Sequence, residues 1–318
     1  MAFGSDEVTA AQEDSSVAIA TSPMIGDCFC ASRSHRPPRP RRISGQRRFP
    51  AGAYPAVVNL IILDPGELGA AGSVRLRGPR AAHVLNVLRV KPGHTLSVGV
   101  LNGARGTATV RSAAEGVVEL SCRLDAAAPS RPRVDLLLAV PRPKVMRRLW
   151  AQITALGVFR IILTNAERVE RPYFDTHILT PEFYRPLLIE GLQQARDTLL
   201  PSVSIHRRFK VLIEDDLDSL CGTGLRIVGD PGVTTSVSEV VRHRLGPDPC
   251  ARLLLAVGPE GGWNNFELRL LATHGFHRVG MGPRTLRTDT ASLALLALVH
   301  DAILRPAGAP PGALSAGA

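Results

Sequence analysis

The sequence contains no cysteine pair at CxxC spacing, no apolar run long enough to cross a bilayer, and neither of the common nucleotide-binding fingerprints. Its five cysteines, Cys28, Cys30, Cys122, Cys221 and Cys250, are odd in number and scattered. That pattern excludes a disulfide framework and a zinc site, so no metal is expected, and it fits a reducing compartment. The longest apolar stretches, Val57 to Leu63 and Leu293 to Val299, fall well short of the roughly 20 residues a spanning helix needs, so no membrane partner is expected. No GxGxxG follows the first strand of the α/β part, and no GxxxxGKS or GxxxxGKT occurs, which argues against a dinucleotide enzyme and a P-loop NTPase.

What is present is length, apolar content and positive charge. With 318 residues and 45% apolar content, the chain can fill two cores and is not a disordered protein as a whole. The net charge is +10, of which the first 50 residues, with seven arginines and five acids, supply only +2. A basic body of this kind favours a polyanionic partner, because phosphates recruit Lys and Arg through counterion release. A compositional bias towards arginine is the competing explanation.

Residues 1–54 lack apolar periodicity and mix Arg, Pro and Ser between Arg33 and Arg48. A disordered basic extension is expected there. Asp6, Glu7, Glu13 and Asp14 argue against a transit peptide, so the protein is expected in the cytoplasm, with a plastid or mitochondrion as the alternative if the extension is a targeting signal. Residues 55–125 alternate as short strands (Val57 to Leu63, Ser73 to Leu76, Thr95 to Val100, Gly106 to Val110, Val117 to Leu120), with tight turns at Asn102-Gly103 and Ala113 to Gly116. One short helix, Pro79 to Arg89, carries His83 and Arg89. A small β-barrel is expected, followed by a linker at Ala126 to Pro132. Over residues 133–306 strands alternate with helices. Val134 to Val140, Arg160 to Leu163, Leu225 to Val228, Leu253 to Val257 and Arg278 to Met281 are the strands, and Lys144 to Leu156, Pro181 to Ala195, Asn264 to His274 and Thr290 to Leu304 the helices. That order predicts an α/β domain with a mainly parallel sheet, and residues 307–318 are expected to form a flexible tail.

Two loops stand out because each follows a buried strand and is rich in glycine: Gly258-Pro259-Glu260-Gly261-Gly262-Trp263 and Gly280 to Ala291, GMGPRTLRTDTA. Ligands in parallel sheets lie outside the carboxyl ends of strands, where these loops fall. The pair VGPEGGW and GMGPRTLRTDTA, with Glu267 between them and the upstream His83-Val84-Leu85-Asn86-Val87-Leu88-Arg89 with Gly93, resembles the SPOUT-superfamily uridine N3-methyltransferases of small-subunit (16S-type) rRNA. The resemblance covers roughly residues 57 to 304.

The resemblance implies a PUA-like RNA-binding barrel ahead of a trefoil-knotted methyltransferase domain, with S-adenosyl-L-methionine as the methyl donor. It also implies a homodimer and small-subunit rRNA, in the assembled subunit, as substrate. On the matched positions, Gly229, Gly258, Glu260, Gly261, Gly262, Met281, Gly282 and Leu286 would surround the cofactor, and Arg287 and Arg196 would stabilise the uracil enolate. Structural ion pairs or phosphate contacts are the alternatives for both arginines. Glu260 could instead favour the helix that follows it, and Trp263 could simply pack. His83, Arg89, Arg142, Lys144 and Arg147 are the candidate RNA contacts; the cluster beginning at Arg142, which also includes Arg148, sits at a helix N-terminus, where cations oppose the dipole and an external anion would explain them. Two positions depart from the family pattern: Ala155 replaces an acidic residue, and Asp197 stands where the family has arginine, with Arg196 one residue early. These departures keep open the alternative of a catalytically silent RNA-binding or assembly factor on the same fold.

Overall fold

The computed structural model describes residues 60–246, 248 and 250–304. The expectations for residues 1–54, for Val57 to Asn59 and for the C-terminal tail lie outside the described residues.

The N-terminal part contains β1 (Ile61–Leu63), β2 (Ser73–Leu76), the short helix α1 (Gly78–Ala82), β3 (Thr95–Val100), β4 (Arg105–Ala114) and β5 (Val117–Leu124). The strands form one sheet of order β1-β3-β4-β5-β2, in which β1 runs parallel to β3 and the other neighbours are antiparallel. Asn102 at φ 58° turns the β3–β4 hairpin, and Glu115 at φ 52° with Gly116 at φ 73° turns β4–β5. Two consecutive positive φ values give the twist that a tight hairpin needs, and Gly116 supplies one of them without a Cβ clash. Every second residue of the strands points inward, so Val74, Leu76, Leu96, Val98, Val110, Val118 and Leu120 make a core of their own.

The half-barrel sheet is consistent with the expected barrel-like domain, with β1 and β2 at its ends among the described residues. One expectation for this part changes. The segment expected as one helix from Pro79 to Arg89 is α1 followed by a π-helical turn, His83–Val87. Arg89 then adopts φ 49°, so His83 and Arg89 do not share a helical face, although both are exposed. The wider turn lets Val84 reach the core while Val87 stays outside.

The second part contains β6 (Val134–Ala139), α2 (Pro143–Ala155), β7 (Arg160–Thr164), α3 (Pro181–Ala195), β8 (Ser202–His206), α4 (Phe209–Val211), α5 (Leu217–Cys221), β9 (Leu225–Gly229), α6 (Val237–Arg244), β10 (Leu253–Val257), α7 (Asn265–Thr273), β11 (Phe276–Val279) and α8 (Thr288–Leu304). Its six strands pair in parallel in the order β11-β9-β10-β6-β7-β8. Central strands β6 and β10 are buried at every residue and covered on both faces, and the one charged side chain among them, Asp135, is paired with Arg252 at 2.5 Å. Trp150 of α2, fully buried, donates its indole N–H to the Ile178 carbonyl at 3.2 Å and packs on Tyr184. Pro186 lies inside α3 without ending it. The last strand is displaced by two residues from the expected Arg278 to Met281. Thr273 and His274 end α7 early, and Gly275 at φ 80° lets the chain re-enter the sheet at Phe276.

The two sheets meet along a hydrogen-bonded seam. The Asn102 N–H donates to the Thr198 carbonyl at 2.7 Å, the Thr198 hydroxyl donates to the Gly103 carbonyl at 2.6 Å, and the Leu200 N–H donates to Asn102 Oδ1 at 2.9 Å. Leu60, Ile62 and Leu101 from the first part close on Leu192 of α3. The hairpin turn that the sequence marks is thus also the docking element.

Candidate active site

Three strands, β9, β10 and β11, end at the same edge of the sheet, and the loops that follow them wall a cavity of about 270 Å³ with the first turns of α8. Gly229 to Pro231, Val257 to Trp263 and Val279 to Leu286 (except Pro283) supply most of the lining, and Thr288, Ala291 and Leu295 close it. All eight residues expected around the cofactor, Gly229, Gly258, Glu260, Gly261, Gly262, Met281, Gly282 and Leu286, are on this wall.

Their glycines do different work. A Cβ on Gly229 would come within 2.6 Å of Leu295 Cδ1, one on Gly258 within 3.1 Å of Trp263 Nε1, and one on Gly261 within 2.8 Å of Arg168 Cδ. In these places the missing side chain makes room for protein. Only Gly262 and Gly282, at φ 72° and 98°, face open space. There the backbone conformation itself calls for glycine. Of the three GPEGG glycines, Gly258 and Gly261 therefore make room for Trp263 and Arg168.

Glu260 does not support the helix that follows it. That helix, α7, is capped by Asn264, whose Oδ1 accepts the Glu267 N–H at 2.8 Å while Glu267 Oε2 accepts the Asn264 N–H at 2.7 Å. Glu267 also accepts the Glu167 N–H at 2.7 Å, so a carboxylate that is only 3% exposed is held by two backbone donors and ties the β7 loop to α7. Glu260 instead accepts the Arg142 N–H at 2.9 Å, at the N-cap of α2. It does from 118 positions away what the third helical residue does in a capping box, because α2 has Val145 at that position.

The arginines are distributed otherwise than expected. Arg287 is exposed and does not line the cavity, whereas Arg284 and Arg168 do. Arg168, held in place by the Glu167–Glu267 contact, donates to the Gly261 carbonyl. Arg196 is not brought to the cavity. It caps α3 in the left-handed conformation, φ 55°, with its carbonyl accepting from Arg105 of β4 at 3.1 Å. Asp197, at the family's arginine position, accepts the N–H groups of Thr198 and Leu199 and so shapes the seam turn. Of the basic cluster at α2, Arg142, Lys144 and Arg147 are exposed; Arg147 lies 6.0 Å from the Phe183 ring, and Arg148 pairs with Asp289 of α8 at 3.0 Å. For Arg148 an internal carboxylate takes the role expected of an external anion.

Sequence reasoning missed Arg168, Arg284 and the Asp230–Arg278 pair, in which Arg278 Nε donates to Asp230 Oδ2 at 2.5 Å while Oδ1 accepts the Gly232 N–H at 2.8 Å. Trp263 does pack, 5.2 Å from the Phe209 ring, as expected. It lines the cavity too, and its buried indole N–H has no partner in the protein. A buried donor left unpaired costs about 1–3 kcal/mol, so a ligand acceptor here would recover it. This unpaired donor, two open positive-φ glycines and a wall of backbone amides and carbonyls fit a cofactor carrying an adenosine and an amino acid. Among the described residues no helix is long and apolar enough to cross a membrane, and no cluster of metal-binding side chains occurs.

A parallel sheet with a backbone-lined cavity at its switch edge defines a small-molecule-binding α/β protein, with a half-barrel sheet docked beside it. The chain belongs to the family of the RNA methyltransferase domain, which matches residues 128–300. It is similar to the ribosomal RNA small subunit methyltransferase E of Treponema pallidum (strain Nichols), at 29% identity over 76% of this chain and 90% of that protein. The protein of that name from Synechocystis sp. (strain ATCC 27184 / PCC 6803 / Kazusa) is 26% identical over 76% of each chain. Among solved structures, a ribosomal RNA small subunit methyltransferase E from Neisseria gonorrhoeae, bound to S-adenosyl methionine, shares the fold. It aligns with a TM-score of 0.61 and 21% identity over 77% of this chain and 97% of that one.

Proposed function

We propose that this protein is an S-adenosyl-L-methionine-dependent methyltransferase that modifies N3 of a uridine in small-subunit rRNA, with the assembled subunit as substrate. The observation that carries the reading is the cavity itself, where all eight expected cofactor residues meet in a family of RNA methyltransferases. The loops Gly258 to Trp263 and Met281 to Leu286, with Gly229, would hold the cofactor, whose sulfonium supplies an electrophilic methyl group. Methylation at N3 requires loss of the uracil N–H proton, and the anion so formed spreads over O2 and O4. Arg168 and Arg284, the two guanidinium side chains on the cavity wall, are suited to stabilise that charge, and Arg287 at the rim is suited to the phosphate. Pre-alignment in the cavity contributes as well, since holding both reactants replaces an entropically costly encounter.

The half-barrel sheet, with exposed His83 and Arg89, is the proposed RNA-binding module, joined by exposed Arg142, Lys144 and Arg147 from α2. We further propose a trefoil-threaded chain and a cytoplasmic homodimer. The threading rests on the family resemblance of the loops after β9, β10 and β11. Leu298 and Leu304 of α8 are 44% and 78% exposed and flank exposed Asp301 on the outer face; these two large apolar side chains support the dimer. The test is single-turnover transfer of labelled methyl groups to undermethylated small subunits by the Arg168→Ala, Arg284→Ala and Arg287→Ala variants. The first two are expected to lower turnover by at least about tenfold with cofactor affinity within a few-fold of wild type, and Arg287→Ala to raise KM for the subunit. If Arg287→Ala alone abolishes turnover, the assignment of Arg168 and Arg284 is wrong. Tight cofactor binding without transfer to any RNA would instead identify a silent assembly factor.

A further inference from the structure

At the β11 edge of the sheet, α6, α7 and β11 enclose an open groove of about 620 Å³. Buried Val240 and Phe276 give it an apolar floor flanked by exposed Ala272, and its polar rim holds His243, Arg244, His277 and Arg278, with Glu239 as the one carboxylate among the lining residues. Arg244 is exposed at the last turn of α6 next to Arg242. Arg278 binds Asp230 through Nε and Nη2, which leaves Nη1 for another oxygen.

The groove and the cofactor cavity share a wall. Asp230 lines the cavity and Thr235 lines the groove, and the loop between them is pinned to β11 from both ends. The Asp230 N–H donates to the Val279 carbonyl at 2.9 Å, and the Gly280 N–H donates to the Thr235 carbonyl at 2.9 Å. A Cβ on Gly280 would collide with the Val233 carbonyl, so this loop lies directly on the strand.

We propose that this groove is a second RNA track, in which Arg244, His277 and Arg278 hold phosphodiester oxygens of the substrate's backbone. This rests on the reading of the chain as an RNA methyltransferase. Two guanidiniums flanking an open channel match the spacing-tolerant, salt-sensitive recognition of a polyanion. Glu239 opposes any polyanion, so the two guanidiniums must outweigh it; RNA is favoured over an acidic protein segment by the reading of the chain as an RNA methyltransferase. Because the Asp230–Thr235 loop borders both sites, RNA in the groove and cofactor in the cavity are expected to change one another's affinity by an equal factor.

The experiment measures binding of full-length protein to a small-subunit rRNA transcript across a salt series, without methyl transfer, for wild type, Arg244→Ala, Arg244→Lys and His277→Ala. Removing one cation from a phosphate lowers the slope of log affinity against log salt by about 0.7–0.9. Arg244→Ala is expected to show one such decrement in slope and a several-fold weaker affinity, Arg244→Lys to retain the slope, and the S-adenosyl-L-methionine affinity without RNA to stay unchanged. In wild type the transcript is expected to change cofactor affinity, and Arg244→Ala to abolish that change. An unchanged salt slope in both alanine variants overturns the proposal. So does a weakening seen only with protein-containing subunits and not with the transcript, which would assign the groove to a protein. Since no turnover is read, failure here leaves the methyl-transfer reading standing, and failure of methyl transfer leaves the groove.

Discussion

Glu260 links the cofactor loop to the helix that carries the exposed basic cluster, and removing its carboxylate tests whether that link holds the cavity in shape. Its side chain is exposed and accepts one backbone N–H, at 2.9 Å, from the N-cap residue of α2. Arg142 makes no side-chain cap of its own, and Pro143 follows it at the first helical position. A hydrogen bond to a charged acceptor is worth about 1.5–3 kcal/mol when shielded, and a carboxylate at an exposed helix N-terminus about 0.3–1 kcal/mol. For this exposed site the lower end applies, and Glu260→Ala is expected to cost about 1 kcal/mol of stability. The same energy released on the loop corresponds to about a fivefold loss in cofactor affinity. Glu260→Gln keeps an acceptor but not the charge and is expected to recover about half of both effects. Urea unfolding reads the first quantity and calorimetry with S-adenosyl-L-methionine the second. Unchanged affinity in a Glu260→Ala protein that is measurably destabilised would show that the tie serves α2 alone. No change in either would mean that the interaction holds neither the helix nor the loop.

Three further outcomes follow from the same geometry. Trp263→Phe removes a buried N–H that has no partner in the protein, so stability by urea titration is expected to hold within about 1 kcal/mol while cofactor affinity falls; equal affinity would mean that the indole does not reach the ligand. Burial pushes the His300 imidazole below its ordinary value of 6.5, so the unfolded chain takes up the proton more readily than the folded one. The corresponding stability is present above pH 6.5 and is lost as pH falls through the lower folded value; His300→Gln is expected to flatten that decline in a pH series of thermal unfolding, and an identical decline would clear His300. Leu298→Asp on the outer face of α8 is expected to give a monomer by light scattering at micromolar concentration, with a folded circular dichroism spectrum; a monomeric wild-type protein would dispose of the proposed dimer.

Legibility from sequence varied with how local the cause was. The hairpin turns at Asn102-Gly103 and Glu115-Gly116 and the buried strands β6 and β10 were readable because each is dictated by its own residues. Helix α6 also carries a local signal, the cap from Ser236 to Glu239 with Val237, Val240 and Val241 at helical spacing, although it was not among the expected helices. By contrast β8 carries the half-exposed SVSIH, which looks like loop until β7 pairs with it. The cavity was located by its glycines, but their reasons were not, because whether a missing Cβ faces ligand or Arg168 depends on which chain segment folds opposite. Arg168 and Arg284 were hidden for a related reason. Arg168 reaches the cavity through its contact with the Gly261 carbonyl, and its neighbour Glu167 is tied to Glu267, a hundred residues away; nothing in the local pattern of RTLR separates Arg284 from Arg287.

The central claim is methyl transfer to a uridine N3 of small-subunit rRNA. Purified protein incubated with labelled S-adenosyl-L-methionine and undermethylated small subunits, followed by digestion and mass spectrometry of the nucleosides, tests it directly. Label is predicted in N3-methyluridine, more from assembled subunits than from naked rRNA. Label on another base, or only in tRNA, would contradict it.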